Sequence, residues 1–161
     1  MMKYKIETKW AIIFVIMSLV WMLFEKLSGL HSNYIDKQAI YTNFIAIPAI
    51  AIYVFALLDK RKNFYSGQMT YLQGFISGLV ISLIVTILSP LTQIITSKLI
   101  TPEFFPNAIQ YSVSIGYYTQ EAAEKFFNLK NYIIQGLIGA PIMGIITSAI
   151  VAIFTRKKIK I

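Results

Sequence analysis

MTYLQGFISGLVISLIVTILSPLTQIITS, residues 69–97, is the apolar part of the longest stretch of the chain without a charged side chain, residues 63–97. A hydrocarbon core about 30 Å thick is crossed by about 20 apolar residues of α-helix. Three further apolar stretches, 10–26, 38–58 and 132–155, lie on either side of it. The sequence therefore predicts an all-α membrane protein, with four transmembrane helices bundled into a single domain that covers residues 1–161.

The first and third of these spans are the least regular. The first has fifteen uncharged residues, 10–24, so Lys9, Glu25 and Lys26 are expected to extend toward the lipid headgroups. The third is too long for one straight span. We expect residues 71–90 to cross the bilayer, Pro90 to favour a kink, and the helix to continue to about residue 100 at the outer interface.

Composition leaves no room for a separate soluble domain. The 161 residues are 57% hydrophobic and 14% charged, with a mean hydropathy of +0.63, whereas soluble domains carry about a quarter charged residues. The chain has no cysteine, which excludes disulfides, thiolate metal sites and a cysteine nucleophile.

Lysine and arginine are distributed unevenly among the segments between the spans. Ten of the fifteen lie before residue 10, in residues 59–68 or after residue 155. The segments 25–37 and 98–131 hold the other five, together with five acidic residues. Because cytoplasmic segments carry the excess of basic residues, the pattern predicts cytoplasmic N- and C-termini. The net charge of +8 is thus assigned mainly to topology, then to anionic lipid headgroups or an acidic partner, and not to nucleic acid.

Small residues recur at four-residue spacing in the third and fourth spans. Such stripes let helix backbones approach closely in lipid. They predict packing of these two helices, or of two copies of the chain, with an ion or substrate path as the alternative. The residues concerned are Gly74, Gly78, Ser82, Ala140, Gly144 and Ser148.

No ionisable side chain lies in the middle of any span, which argues against pumps and coupled transporters. The polar residues at depth are neutral. Asn43, Gln93 and Gln135 are expected either to form hydrogen bonds between helices or to line a polar path.

His31 is the one histidine and lies between Glu25 and Asp36 in the first outside loop. The spacing matches no metal motif, so we expect a solvated loop and no metal site. The chain also lacks a P-loop, an HExxH motif and a Ser-His-Asp arrangement. We therefore expect no catalytic residue, no cofactor and no enzymatic activity, with a membrane lipid enzyme as a distant third hypothesis.

Residues 101–131 form the most unusual segment outside the spans. Apolar residues alternate with polar ones over 107–117, a period typical of strands, and the sequence leaves this stretch open between helix and strand. Thr119 is a candidate N-cap for a helix over 120–129. The apolar side chains that follow form either a cap on the outer interface or a partner surface. They are Phe126, Phe127 and Leu129.

The four-span layout, the motif YLQGFISG at 71–78 after a basic loop, the turn TPEF at 101–104 and the basic tail resemble one known family. It is the bacterial membrane-protein family catalogued as domain of unknown function 4199. The resemblance implies a bacterial inner-membrane protein and brings no catalytic residues with it.

These observations lead to two functional hypotheses. The first is a structural or accessory protein that acts through helix packing and its 101–131 segment, with the lipid bilayer, a membrane-protein partner or a second copy as its contacts. The second is a small oligomeric channel or facilitator lined by the neutral polar residues.

Overall fold

The computed structural model describes residues 4–157. A 3₁₀ turn, Thr42–Ile45, joins α2 to α3, and a π-helix, Thr96–Ile100, extends α4. Within the described residues no strand forms, and Met69 and Lys157 share a single β-bridge. The helices are α1 (Lys5–Leu27), α2 (Ile35–Tyr41), α3 (Ala46–Asn63), α4 (Tyr71–Ile95), α5 (Phe104–Ser114), α6 (Gln120–Phe126) and α7 (Leu129–Thr155).

Four helical segments are long and apolar enough to cross a membrane, which confirms the prediction of an all-α, four-span protein. They are Lys5–Leu27, Ile35–Asn63, Tyr71–Ile100 and Leu129–Thr155. Successive segments run in opposite directions. Glu7 in α1 meets Lys60 at the end of α3, whereas Glu25 in α1 meets His31. We call these two ends of the bundle the Lys60 end and the His31 end.

The four long helices share one core. The closest packing is between α4 and α7, while α1 packs on α4 and α3, and α3 also packs on α7. Helix α1 is the most peripheral, since only 11% of its most apolar window is buried. The buried core consists of Ala11, Tyr53, Ala56, Leu57, Met69, Ile81, Val151 and Ala152.

Helix α4 has local sequence features that fix its start and allow it to pass a proline. Thr70 Oγ1 accepts a hydrogen bond from the Gln73 amide at 3.2 Å, and Gln73 Oε1 accepts one from the Thr70 amide at 2.9 Å. This capping box satisfies two N–H groups that a helix start leaves unpaired.

Pro90 lacks the N–H that would bond the Thr86 carbonyl. The Ser89 hydroxyl donates to that carbonyl instead, at 2.9 Å, and α4 continues to Ile95.

The 101–131 segment folds as two short helices, and the strand-like alternation proved misleading. Residues 104–114 are helical, and the residues that α5 buries are the small Ala108 and Ser112, one helical turn apart. The buried face of α5 is therefore distinguished by the small size of its side chains and not by their hydropathy. The alternation of apolar and polar residues does not indicate this face. Thr119 caps α6 as predicted, since its hydroxyl accepts from the Ala122 amide at 3.3 Å. The helix ends at Phe126 instead of residue 129.

Candidate functional site

A buried acid–histidine pair lies at the His31 end. Glu25 is 0% exposed and His31 is 3% exposed, and the Glu25 Oε2 to His31 Nε2 distance is 2.9 Å. The Trp21 indole N–H donates to Glu25 Oε1 at 2.5 Å. Glu25 therefore does not extend to the headgroups and His31 is not solvated, so both of these sequence predictions were wrong.

The loop after α1 explains this burial. Gly29 adopts a φ of +79°, a left-handed conformation that glycine tolerates without strain, and the chain turns back on itself there. The Leu30 amide donates to the Glu25 carbonyl at 3.0 Å, so the turn lies directly against the end of α1. The Asn107 side chain of α5 donates to the His31 carbonyl at 2.8 Å and holds the loop from the other side.

The hydrogen bond to Glu25 bears on whether the other ring nitrogen of His31, Nδ1, is a donor or an acceptor. An ionised carboxylate only accepts hydrogen bonds, so His31 Nε2 carries the proton in the pair. In the neutral ring Nδ1 is then an acceptor, and it has no hydrogen-bond partner. Thr101 Oγ1 is likewise buried without a partner. An unpaired buried polar group costs about 1–3 kcal/mol, so two of them near one cavity call for an explanation.

His31 and Thr101 both line a cavity of about 210 Å³. We call it the His31 cavity. The Phe104 ring lies against the His31 ring, with centroids 4.9 Å apart, and closes one wall together with Phe105 and Tyr132. The remaining wall is largely polar and uncharged, and includes Gln38, Thr42, Gln93, Thr96 and Ser97.

The turn 101–104, part of the family resemblance, is what brings Thr101 and Phe104 to this cavity. The Thr101 amide donates to the Thr96 carbonyl at 2.8 Å, and the Phe104 amide donates to the Thr101 carbonyl at 3.2 Å. Lys26 Nζ donates to the Ile100 carbonyl at 2.5 Å and lies 3.7 Å from the Glu103 carboxylate. Lys26, at the end of α1, thus holds this turn in place.

A second buried polar cluster lies at the Lys60 end. Lys60 Nζ is 2.8 Å from Glu7 Oε1 and 3.1 Å from Glu7 Oε2, and the Ser77 hydroxyl donates to Oε1 at 2.8 Å. The Lys60 ammonium also lies 3.7 Å from the centroid of the Phe64 ring. Glu7 is 1% exposed and Lys60 is 2% exposed. This cluster joins α1, α3 and α4.

Sequence reasoning missed the Lys60 cluster because both charges lie at the ends of helices. Lys60 belongs to a basic run, and such a run at a helix end indicates the membrane topology. Glu7 lies in the basic N-terminal segment. A signal was nevertheless present, since Glu7 is the one acidic residue in that segment and Ser77 lies in the small-residue stripe of α4.

The six small residues chosen for helix packing lie on α4 and α7, the two helices in closest contact. A methyl group at Gly74 would lie 3.4 Å from the Ala152 side chain, and one at Gly78 would lie 2.6 Å from Ser148 Cβ. At Gly144 it would overlap the Ser82 side chain. The Ser82 hydroxyl is also 3.4 Å from the Ala140 carbonyl, which it faces as a donor.

The three candidate polar-lining residues do not meet within one copy of the chain. Gln93 lines the His31 cavity. Asn43 is exposed in the 3₁₀ turn, and its side-chain amide donates to the Ala39 carbonyl of α2 at 2.7 Å. Gln135 is exposed on α7.

The candidate partner surface is partly exposed. Phe126 is 38% exposed, whereas Phe127 and Leu129 are half-buried. The ring of Tyr118 stacks on Phe126, with centroids 5.6 Å apart, and Phe127 packs edge-on against Phe126 at 4.9 Å. The three rings form a continuous aromatic layer where α6 meets α7.

One comparison with known proteins gives a match. The family described as a protein of unknown function, DUF4199, matches residues 9–157. No curated protein and no solved structure matches the chain. The match covers the first membrane-spanning segment from residue 9 onward, the other three in full, both buried polar clusters except Glu7, and the turn at 101–104. The chain therefore belongs to the DUF4199 family, which confirms the resemblance inferred from its motifs.

Proposed function

We propose that this protein is a structural or accessory component of the bacterial cytoplasmic membrane that contacts a membrane-protein partner through its 101–131 segment. One observation carries the proposal. Outside the long spans, the turn between α5 and α6 presents an apolar and aromatic surface that the bundle does not cover: Ile115 is 56% exposed and Tyr117 is 72% exposed. Phe126 extends this surface toward α7.

The placement of the polar residues supports an accessory role over a channel. Asn43 and Gln135 lie on exposed helix surfaces, and Gln93 alone of the three lines a cavity. A pore lined by all three needs several copies of the chain with these surfaces turned toward each other. The close approach of α4 and α7 through small residues fills the space between those helices.

In-membrane cross-linking tests this proposal. A photoreactive phenylalanine analogue at Tyr117 is expected to capture a foreign membrane protein in stoichiometric yield, identified by mass spectrometry after mild extraction. The matched control carries the analogue at Phe154, which is 79% exposed near the end of α7, at the Lys60 end of the bundle. Equal products from both positions, or self-linked copies alone, contradict the accessory role.

The proposed topology, with both termini cytoplasmic, has its own test. Because the chain has no cysteine, single cysteines can be introduced at exposed positions without a background signal. We expect Ser114→Cys to react with a membrane-impermeant maleimide on intact cells, and Gln68→Cys to react only after permeabilisation, since the basic loop at 59–68 faces the cytoplasm. The opposite labelling pattern overturns the orientation.

A further inference from the structure

We infer that the His31 cavity binds the headgroup of an uncharged, hydroxyl-bearing lipid of the acylglycerol class, whose chain lies in the adjoining groove under α5 and α6. The groove is lined in part by Ile115, Tyr117 and Phe126, which also belong to the surface proposed above for a protein partner. Lipid labelling without capture of a protein at Tyr117 supports the lipid site alone, and capture of a protein without lipid labelling supports the partner alone.

The unpaired atoms define the headgroup chemistry. In the neutral ring His31 Nδ1 is an acceptor when Nε2 donates to Glu25 at 2.9 Å, and Thr101 Oγ1 can both donate and accept. A hydroxyl group satisfies both atoms, because it can donate to Nδ1 and accept from the Thr101 hydroxyl. A glycerol headgroup carries such hydroxyl groups. Both atoms are shielded from bulk solvent, so the ligand must fit closely against them.

Charge excludes the common anionic headgroups. Among the described residues that line the His31 cavity, none is lysine or arginine. Lys26, which holds the turn that carries Thr101, is engaged with the Ile100 carbonyl and the Glu103 carboxylate. A buried phosphate needs a cation or several charge-assisted donors, so an uncharged headgroup suits this wall better.

A second cavity supplies the place for the chain. A groove of about 480 Å³ shares Gln38, Phe104 and Tyr132 with the wall of the His31 cavity. Its own lining includes the apolar or aromatic side chains of Ile115 and Phe127. The His31 cavity has uncharged polar side chains among its apolar ones, and the groove is lined mainly by apolar and aromatic side chains together with Asp36. Because the two meet at the same residues, they suit an amphiphile with its hydroxyls at His31 and Thr101 and its hydrocarbon in the groove.

The test uses the full-length protein in nanodiscs of phosphatidylglycerol and a monoacylglycerol with a diazirine in its acyl chain. We expect cross-links to map to residues 101–132 and to persist when excess phosphatidylglycerol is present. Unlabelled monoacylglycerol should compete, whereas free glycerol, which has the headgroup without the chain, should compete much less. Equal competition by glycerol and monoacylglycerol overturns the role of the groove, and equal competition by phosphatidylglycerol overturns the preference for an uncharged headgroup.

Thr101→Val provides the decisive variant because it keeps the shape of the side chain and removes only the hydroxyl. We expect monoacylglycerol labelling to fall about three- to tenfold, the loss typical of one hydrogen bond. Thermal stability without ligand should stay equal or rise, because the hydroxyl has no partner in the protein. A purely structural role for Thr101 predicts the reverse, a loss of stability with labelling unchanged.

Thr92→Val is the matched control. The Thr92 hydroxyl donates to the Leu88 carbonyl of its own helix at 3.1 Å, and its side chain lies outside the lining of both cavities. Labelling of this variant should match that of the unaltered protein. If Thr92→Val and Thr101→Val reduce labelling equally, or if neither reduces it, the lipid site as assigned here is wrong.

Discussion

Replacement of Lys60 by methionine is expected to destabilise the protein by about 3–5 kcal/mol, the typical cost of removing one partner from a buried ion pair. Methionine keeps most of the volume of the side chain but leaves the Glu7 carboxylate buried with the Ser77 hydroxyl as its remaining partner. A buried carboxylate without a counter-charge is strongly unfavourable. The measurement is unfolding of the purified protein in mixed detergent micelles, followed by intrinsic tryptophan fluorescence.

Two further variants separate the ion pair from general effects of charge. The double variant Glu7→Gln with Lys60→Met removes both charges, and we expect it to recover most of the lost stability. Lys9→Met removes a partner from the ion pair with Asp59, but the Lys9 side chain is 53% exposed, so its effect should stay at about 0–1 kcal/mol. Equal, small effects of Lys60→Met and Lys9→Met contradict the buried cluster.

Replacement of Gly78 by alanine is expected to separate α4 from α7 and to cost about 1–3 kcal/mol, the usual penalty of overpacking. The added methyl carbon would lie 2.6 Å from Ser148 Cβ and 3.3 Å from Ser148 Cα, so the backbone of α7 must move as well. The same unfolding assay measures the loss, and cysteine cross-linking between the two helices reports their separation.

Gly139→Ala is the matched control for this substitution, because nothing lies within 4 Å of a methyl group at that position. There we expect no loss, or a gain, since alanine favours helix over glycine by up to about 1 kcal/mol. Combining Gly78→Ala with Ser148→Gly moves the small residue to the opposite helix, which should restore much of the stability. Equal results for Gly78→Ala and Gly139→Ala rule out close packing at Gly78.

The fold could be predicted well from the sequence, because a membrane span depends on local properties. An uncharged run of sufficient length, such as residues 69–97, must form a helix in lipid, where every backbone group needs an internal partner. The N-cap at Thr119 was found for the same reason, since a cap depends on residues three positions apart.

The candidate site could be predicted only in part, because its contacts join distant residues. Glu7 and Lys60 are 53 positions apart, and His31 and Asn107 are 76 apart. Hydropathy assigns a charged residue near a helix end to the solvent or the headgroups, and only the packing of the helices reveals that Glu25 is enclosed. For α5, the small size of Ala108 and Ser112 decides which side is buried, and an alternating apolar pattern does not contain that information.

The sparse packing of α1 has a consequence for how the protein is assembled. Polar contacts hold α1 near its two ends, Glu7 with Lys60 and Ser77, and Glu25 with His31, while its middle faces outward with Ile16 54% exposed and Val20 60% exposed. Its anchoring partners Lys60 and Ser77 belong to helices that follow it in the chain. During synthesis the Glu7 carboxylate therefore lacks these partners until α3 and α4 have been inserted, so α1 docks only after both of them.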